Sequence, residues 1–126
     1  MKKTILRKLK KKLEEHEPTF RVRVVAAVVH KGKIVAMGKN QTKTHPVAAL
    51  YSKHEDAIYL HAEVDAINKA KKRLSSLEDT QLYVMRMKHD GLLGNSLPCE
   101  GCSRCISDFG ILTVIYSTDD GDMKCI

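Results

Sequence analysis

Two short segments of the chain carry side chains that bind metal ions: His-Ala-Glu at residues 61–63 and Pro-Cys-Glu-Gly-Cys at residues 98–102. One imidazole and two thiolates supply three ligands to a tetrahedral Zn²⁺ and leave the fourth position open to water, as catalytic zinc sites do. A carboxylate beside that water can carry its protons. The pattern therefore predicts one catalytic Zn²⁺ with three ligands, His61, Cys99 and Cys102, and one catalytic acid–base residue, Glu63.

Two other interpretations of the cysteines stay open. Cys99 and Cys102 could form a redox pair, because Cys-x-x-Cys at a helix start is also the arrangement of thiol oxidoreductases. That interpretation gives the His-Ala-Glu segment no role. Cys105 could close the zinc site as a fourth ligand, which would make the chain a non-catalytic zinc module that binds nucleic acid. A small buried core residue is the simpler interpretation of Cys105, since free cysteine packs well.

The hydrophobic pattern predicts the elements that must bring these segments together. We expect helices over residues 2–16, 59–74 and 99–109, and strands over residues 20–29, 34–37, 81–87 and 111–116. This order predicts an α/β fold in which a mixed sheet has helices on both faces, with the last two strands parallel neighbours. His61 and Cys99 then lie at or near two helix N-termini, which stabilise thiolates.

Length and composition point to one domain over residues 1–126, since 126 residues with 43% hydrophobic side chains can bury one core. No apolar run approaches the roughly 20 residues that cross a bilayer, and the N-terminus lacks a signal-peptide pattern. We therefore expect no membrane partner and a cytoplasmic location. In that compartment the four cysteines are thiols or metal ligands.

The net charge of +7 is concentrated at the N-terminus, where a basic helix within residues 1–17 has seven basic and three acidic side chains. A second basic cluster covers residues 69–73. This charge favours a phosphate-bearing substrate and leaves open single-stranded DNA or RNA as a partner. Aromatic residues make up only 5% of the chain and tryptophan is absent. Because stacking platforms for single strands are therefore scarce, a small nucleotide is favoured.

The two metal-binding segments resemble those of the cytidine deaminase-like superfamily, with a layout similar to deoxycytidylate (dCMP) deaminases and related phage enzymes. The likeness covers about residues 20 to 118. It implies a three-layer α/β/α fold with a central mixed sheet, one catalytic Zn²⁺ and a homo-oligomer. It also implies hydrolytic deamination of cytosine to uracil in a pyrimidine nucleotide, dCMP above all, with attack at C4 of the ring. Cytosine in single-stranded DNA or RNA is the alternative substrate.

The resemblance also implies roles for residues around the metal. Gly38-Lys39-Asn40 is similar to the Gly-x-Asn of the family, in which the asparagine binds the sugar hydroxyl. By the same analogy, the substrate-binding residues are Asn40 (sugar), Ala62 (backbone N–H to pyrimidine O2), Ser96 or the Leu97 carbonyl (departing amino group) and His45 (substrate-side loop). A 5′-phosphate could be held by one or more of Lys43, Arg86 and Arg104, and the sequence does not choose among them.

The chain also departs from related patterns in ways that bear on the substrate. Small tetrameric nucleoside deaminases usually have cysteine at the position of His61, and tRNA deaminases usually have glutamate at that of Leu97. Compared with dCMP deaminases, Asp65 replaces an asparagine and the segment 88–97 is longer. Both differences from dCMP deaminases change the mouth of the pocket.

Overall fold

The computed structural model describes residues 3–16, 23–41 and 61–126. The helices are α1 (Lys3–Glu15), α2 (Ala62–Ala70) and α3 (Glu100–Asp108). The strands are β1 (Arg23–His30), β2 (Lys33–Lys39), β3 (Thr80–Met87), β4 (Leu93–Gly94), β5 (Thr113–Ser117) and β6 (Met123–Cys125).

The strands form one mixed sheet in the order β2-β1-β3-β5-β6, and β4 pairs with the end of β3. β3 and β5 are parallel neighbours, as predicted, and the other pairs are antiparallel. Val24 of β1 lies opposite Arg86 of β3 in this register. The register therefore places the start of β1 and the end of β3 side by side at the same end of the sheet.

Alternating side chains on the strands build two cores, one on each face of the sheet. On one face α1 packs its stripe of Ile5, Leu9 and Leu13 against alternate residues of β1 and β3. On the other face α2 and α3 share a core with the intervening strand positions, such as Ala26, Val28, Leu82 and Val84. The chain thus has the predicted three-layer α/β/α architecture with a central mixed sheet.

Gly38 of β2 allows α2 to pack closely against the sheet. A Cβ atom at this position would overlap the backbone nitrogen of Ala66 and the carbonyl oxygen of Ala62. The lack of a side chain therefore lets the first turn of α2, next to His61, lie directly on β2.

Gly110 ends α3 in the left-handed conformation with φ 76°. Its N–H bonds to the Ser107 carbonyl, and the Ile111 N–H bonds to the Ile106 carbonyl. These two bonds form a Schellman motif, which satisfies carbonyl groups at the helix end.

The structure differs from the predicted elements in three places. Helix α2 ends at Ala70 rather than near residue 74, because residues 71–73 form a turn. Strands β4 and β6 were not predicted, since two and three residues are too short to show an alternating pattern. Within the described residues, no helix is long and apolar enough to cross a membrane.

Candidate active site

Two helix N-termini on the same face of the sheet position the metal-binding segments. His61 is the N-cap residue of α2, with φ −78° and ψ 154°. Cys99 is the N-cap residue of α3, and its Sγ accepts a hydrogen bond from the Cys102 N–H at 3.5 Å. Since α2 and α3 share one core, their N-terminal residues meet beside the sheet.

The three predicted ligands lie together. His61 Nδ1 is 3.2 Å from Cys102 Sγ and 3.7 Å from Cys99 Sγ. The three ligand atoms all lie within 4.8 Å of one another. Typical Zn–N and Zn–S bond lengths place neighbouring donors of a tetrahedral site about 3.5 Å apart. One imidazole nitrogen and two sulfur atoms at this spacing fit a Zn²⁺ ion, and they are the only such group among the described residues.

Hydrogen bonds and burial distinguish the two thiols. The hydrogen bond from the Cys102 side chain, followed by that from His61, lowers the pKa of Cys99 to about 3. The same contact with Cys99, together with burial, raises the pKa of Cys102. The hydrogen bond to Cys99 also raises the pKa of His61. Cys99 is thus a thiolate, stabilised by the hydrogen bonds from Cys102 and His61. A metal cation can take the place of the protons in those hydrogen bonds.

Glu63 is a buried carboxyl group beside these ligands. Its exposed fraction is 6%, although it lies in the first turn of α2. Burial raises the pKa of the Glu63 carboxyl above its usual range. A carboxyl group in this environment holds a proton more readily than one in water, as a proton carrier requires.

A pocket of about 390 Å³ opens at this point. Its lining includes His61, Glu63 and Cys99, and four residues predicted to bind substrate: Asn40, Ala62, Ser96 and Leu97. Val24, Arg86 and Asn95 are the other described residues in its wall. His45, the fifth predicted substrate residue, and Lys43 lie outside the described residues.

The predicted substrate residues differ in how they are held. The Ser96 hydroxyl is buried in a network, where it donates to the Val84 carbonyl at 2.9 Å and accepts from the Ser117 N–H at 2.7 Å. The Leu97 N–H donates to Asn95 Oδ1 at 3.1 Å, and the Leu97 side chain is exposed. Ser96 therefore joins the pocket wall to the sheet.

The alternative roles of the cysteines can be compared with these positions. Cys105 is fully buried in the core that α2 and α3 share. It does not belong to the group of potential metal ligands among the described residues. Burial raises the pKa of its thiol to about 12, so the group is a protonated core side chain. Within the described part of the chain, the metal group therefore has three protein donors and matches an open site.

Two buried residues hold the pocket: sequence reasoning missed His16, and it placed Asp65 at the pocket mouth without its contacts. His16, directly after α1, is 2% exposed and bonds to Asn40. Asp65 Oδ2 accepts from the Lys39 N–H at 3.1 Å and from Gln41 Nε2 at 3.2 Å. A signal for His16 exists in the sequence, because it continues the stripe of Ile5, Leu9 and Leu13 at the next three-residue step. A polar residue on a buried stripe indicates a buried hydrogen bond.

A comparison with protein-family models identifies the family of the chain. The family model described as "Cytidine and deoxycytidylate deaminase zinc-binding region" matches residues 1–118. Among the curated proteins, none matches this chain.

Solved deaminase structures are similar to the chain over almost its whole length. The dCMP deaminase of cyanophage S-TIM5, in complex with dCMP and dUMP, is 28% identical with a TM-score of 0.61, over 94% of this chain and 85% of that one. Its apo form gives 26% identity and a TM-score of 0.58, over 94% and 86%. A cytidine deaminase from Burkholderia pseudomallei is 21% identical, with a TM-score of 0.69 over 100% and 92%, which shows the shared fold.

The family model covers most of the sequence. Its zinc-binding region fits the metal group with three donors and the buried Glu63 carboxyl group beside it. The chain belongs to the cytidine and deoxycytidylate deaminase family and carries a zinc site of that family, for which His61, Cys99 and Cys102 supply the ligand atoms.

Proposed function

We propose that this protein hydrolyses the cytosine amino group of a (deoxy)cytidine nucleotide, with dCMP as substrate and dUMP and ammonia as products. The observation that carries the proposal is the buried carboxyl group of Glu63, which lines the same pocket as His61 and Cys99. Support for dCMP comes from the cyanophage deaminase, whose structure holds dCMP and dUMP. We also propose that residues 1–126 act as one deaminase domain. The homo-oligomer and the cytoplasmic location stay predictions.

In this proposal His61, Cys99 and Cys102 hold Zn²⁺, which when bound supplies the activation of a water molecule for attack at C4 of the ring. Glu63 accepts a proton from that water and delivers it to ring N3. Glu63 then takes the second proton of that water from the hydroxyl group now on C4 and gives it to the amino group, the C4–N bond breaks, and ammonia leaves. The raised pKa of Glu63 supports this role, because the carboxyl group must both take and return protons near neutral pH.

The wall of the pocket offers contacts for the rest of the substrate. We place the sugar hydroxyl on the Asn40 side chain, pyrimidine O2 on the Ala62 N–H, and the departing amino group near the Leu97 carbonyl. All three residues line the pocket. The Ser96 hydroxyl is engaged in its own network, so Leu97 is the better candidate of the two for the amino group.

Of the two candidate arginines, Arg86 is the better placed to hold the 5′-phosphate. It lies at the end of β3 and lines the pocket, whereas Arg104 is exposed on α3 and lies outside its wall. Arg86 Nη1 donates to the Asn95 carbonyl at 3.2 Å. Its Nε is buried and has no hydrogen-bond partner among the described residues. A guanidinium group in a pocket wall favours an anionic ligand.

The basic residues give less support to a nucleic-acid substrate. In the 69–73 cluster, Lys69 bonds to Asp65 at 3.1 Å, Arg73 bonds to the Val35 carbonyl, and Lys71 lies 5.8 Å from the ring centre of Phe109. These contacts are intramolecular. The basic face of α1 lies on the sheet face opposite α2 and α3.

A panel of substrates tests the proposal. Zinc-loaded protein is assayed for ammonia release with dCMP, CMP, deoxycytidine and a cytosine-bearing DNA or RNA oligonucleotide, at low and moderate salt. We expect the highest kcat/KM with dCMP and a smaller value with deoxycytidine. Turnover of the oligonucleotide alone, with strong loss on added salt, would replace the proposed substrate with single-stranded nucleic acid. If the protein releases ammonia from none of these substrates, the proposal that it deaminates cytosine would be contradicted.

A further inference from the structure

Helix α1 packs on the opposite face of the sheet from the metal group, yet the residue after it reaches the pocket. His16 Nε2 lies 2.8 Å from Asn40 Oδ1 and 3.2 Å from the Asn40 carbonyl oxygen. Both partners are oxygen acceptors. Nε2 therefore carries the proton and donates to Asn40.

A second donor fixes the same side-chain oxygen. The Val24 N–H donates to Asn40 Oδ1 at 2.9 Å, and the Asn40 N–H donates back to the Val24 carbonyl at 3.2 Å. With two donors on Oδ1, the orientation of the Asn40 amide is determined, because its NH₂ group cannot take that place without facing two N–H groups. Asn40 thus lines the pocket with one defined amide orientation.

The backbone around Asn40 is held from the other side as well. Asp65 is 4% exposed, and its Oδ2 accepts from the Lys39 N–H and from Gln41 Nε2. Asp65 lies on α2, two residues after Glu63. Asn40 therefore lies between a contact from the helix that carries Glu63 and a contact from the end of α1.

We propose that His16 is a positioning residue for nucleotide recognition: it orients the Asn40 amide so that Asn40 can bind the sugar hydroxyl. This inference rests on the proposed function. It makes the end of α1 part of the substrate site, although α1 contributes no group to the chemistry. The burial of His16 supports the role, because a hydrogen bond shielded from water holds its acceptor in place more firmly.

The test removes the His16 donor and measures recognition of the sugar hydroxyl. Zinc-loaded wild type, His16→Met and His16→Gln are assayed with dCMP and with 2′,3′-dideoxycytidine 5′-monophosphate, which lacks that hydroxyl. Met is similar in size to His and has no donor, whereas the Gln amide places an N–H near the position of Nε2. Zinc content and circular dichroism are measured for each protein.

We expect His16→Met to raise KM for dCMP and to lower kcat/KM about tenfold, the effect of one lost hydrogen bond. The kcat/KM for the dideoxy nucleotide should change by less than about twofold. In His16→Gln most of the preference for dCMP over the dideoxy nucleotide should return. Asn40→Ala should show the same loss of preference for dCMP over the dideoxy nucleotide. The double variant His16→Met with Asn40→Ala should lose no more than Asn40→Ala alone, because the effects of coupled residues are not additive.

An equal fall in kcat/KM for both nucleotides in His16→Met would overturn the proposal, since it would indicate that His16 has a structural role alone. An unchanged preference for dCMP would overturn it as well. If His16→Met does not fold, His16→Asn replaces it, because its shorter amide cannot reach Asn40 Oδ1. The wild type reports separately on the proposed function: failure to turn over dCMP would overturn that function and this inference together, whereas a dCMP-active wild type isolates the role of His16.

Discussion

At the scale of single residues, the environments of three cysteines separate metal ligands from a core side chain. Cys99 and Cys102 lie beside His61 Nδ1, and the pKa of Cys99 is lowered to about 3 by the hydrogen bonds from Cys102 and His61. Cys105 lies one turn further along α3, in an apolar core. Three residues of one type on one helix therefore have two roles.

These roles predict different responses to substitution. Cys105→Ala should keep one zinc per chain, because Cys105 supplies no ligand, and should lower stability by an amount typical of a small core truncation, about 1 kcal/mol. The matched variant Cys102→Ala should lose most of its zinc. Metal analysis after gel filtration, with thermal unfolding, measures both. Zinc loss in Cys105→Ala with an intact fold would indicate a fourth ligand and a closed site.

Arg86 carries a second prediction at this scale. Arg86→Met should lower kcat/KM for dCMP by about tenfold or more, since it removes a charged hydrogen-bond donor to the proposed 5′-phosphate. The value for deoxycytidine, which has no phosphate, should change little. Steady-state kinetics with both substrates measure the ratio, and Arg104→Met is the exposed control. A parallel loss for both substrates would assign Arg86 a structural role through Asn95.

At the scale of elements, close packing of α2 on β2 sets the position of the metal group. Gly38 permits this contact, because a side chain there would meet the backbone of Ala62 and Ala66. His61 immediately precedes Ala62, so a shift of the helix start moves a metal ligand. Packing at Gly38 and geometry at the zinc site are therefore linked.

Gly38→Ala should lower stability by about 1–3 kcal/mol and should also reduce activity at temperatures where the protein is folded. Gly121→Ala is the control. A Cβ there meets no atom within 4 Å, so only the strain of its φ of 84° is expected, at about 1–2 kcal/mol, with activity unchanged. Thermal unfolding and dCMP turnover measure the two effects. Full activity of folded Gly38→Ala would contradict the link.

The elements also show what the sequence could and could not predict. Long periodic segments such as α1 and β3 were predicted within a few residues, because their apolar spacing directly reflects one buried face. The ligands were predicted because two local motifs hold all three. The bond between His16 and Asn40 joins residues 24 positions apart, and only the packing of α1 on the sheet brings them together. The local pattern can indicate that His16 is buried and hydrogen-bonded, but it carries no information on which residue is its partner.

At the scale of the whole molecule, charge and chemistry occupy different layers. Residues 3–12 of α1 expose six basic side chains, whereas the metal group lies with α2 and α3 on the other face of the sheet. Much of the net charge of +7 is therefore not in the pocket wall. This separation favours a small substrate over a strand that crosses both surfaces.

The triple variant Lys8→Gln, Lys11→Gln and Lys12→Gln should retain dCMP turnover within about twofold. Gln is a good helix former, and these side chains are exposed, so the fold should be unchanged. Filter binding of a cytosine-bearing oligonucleotide is measured in parallel. A strong fall in oligonucleotide deamination, with binding lost together with turnover, would indicate that α1 guides a nucleic-acid substrate.

The most direct test of the whole account is dCMP turnover by zinc-loaded Glu63→Ala beside zinc-loaded wild type, with zinc measured in the same samples. We expect wild type to form dUMP. The variant should hold one zinc per chain and lose activity by at least about 10²–10⁴-fold, because Glu63 moves the protons and binds no metal. Deamination retained in the variant, or zinc lost from it, would contradict the roles assigned to Glu63 and its neighbours.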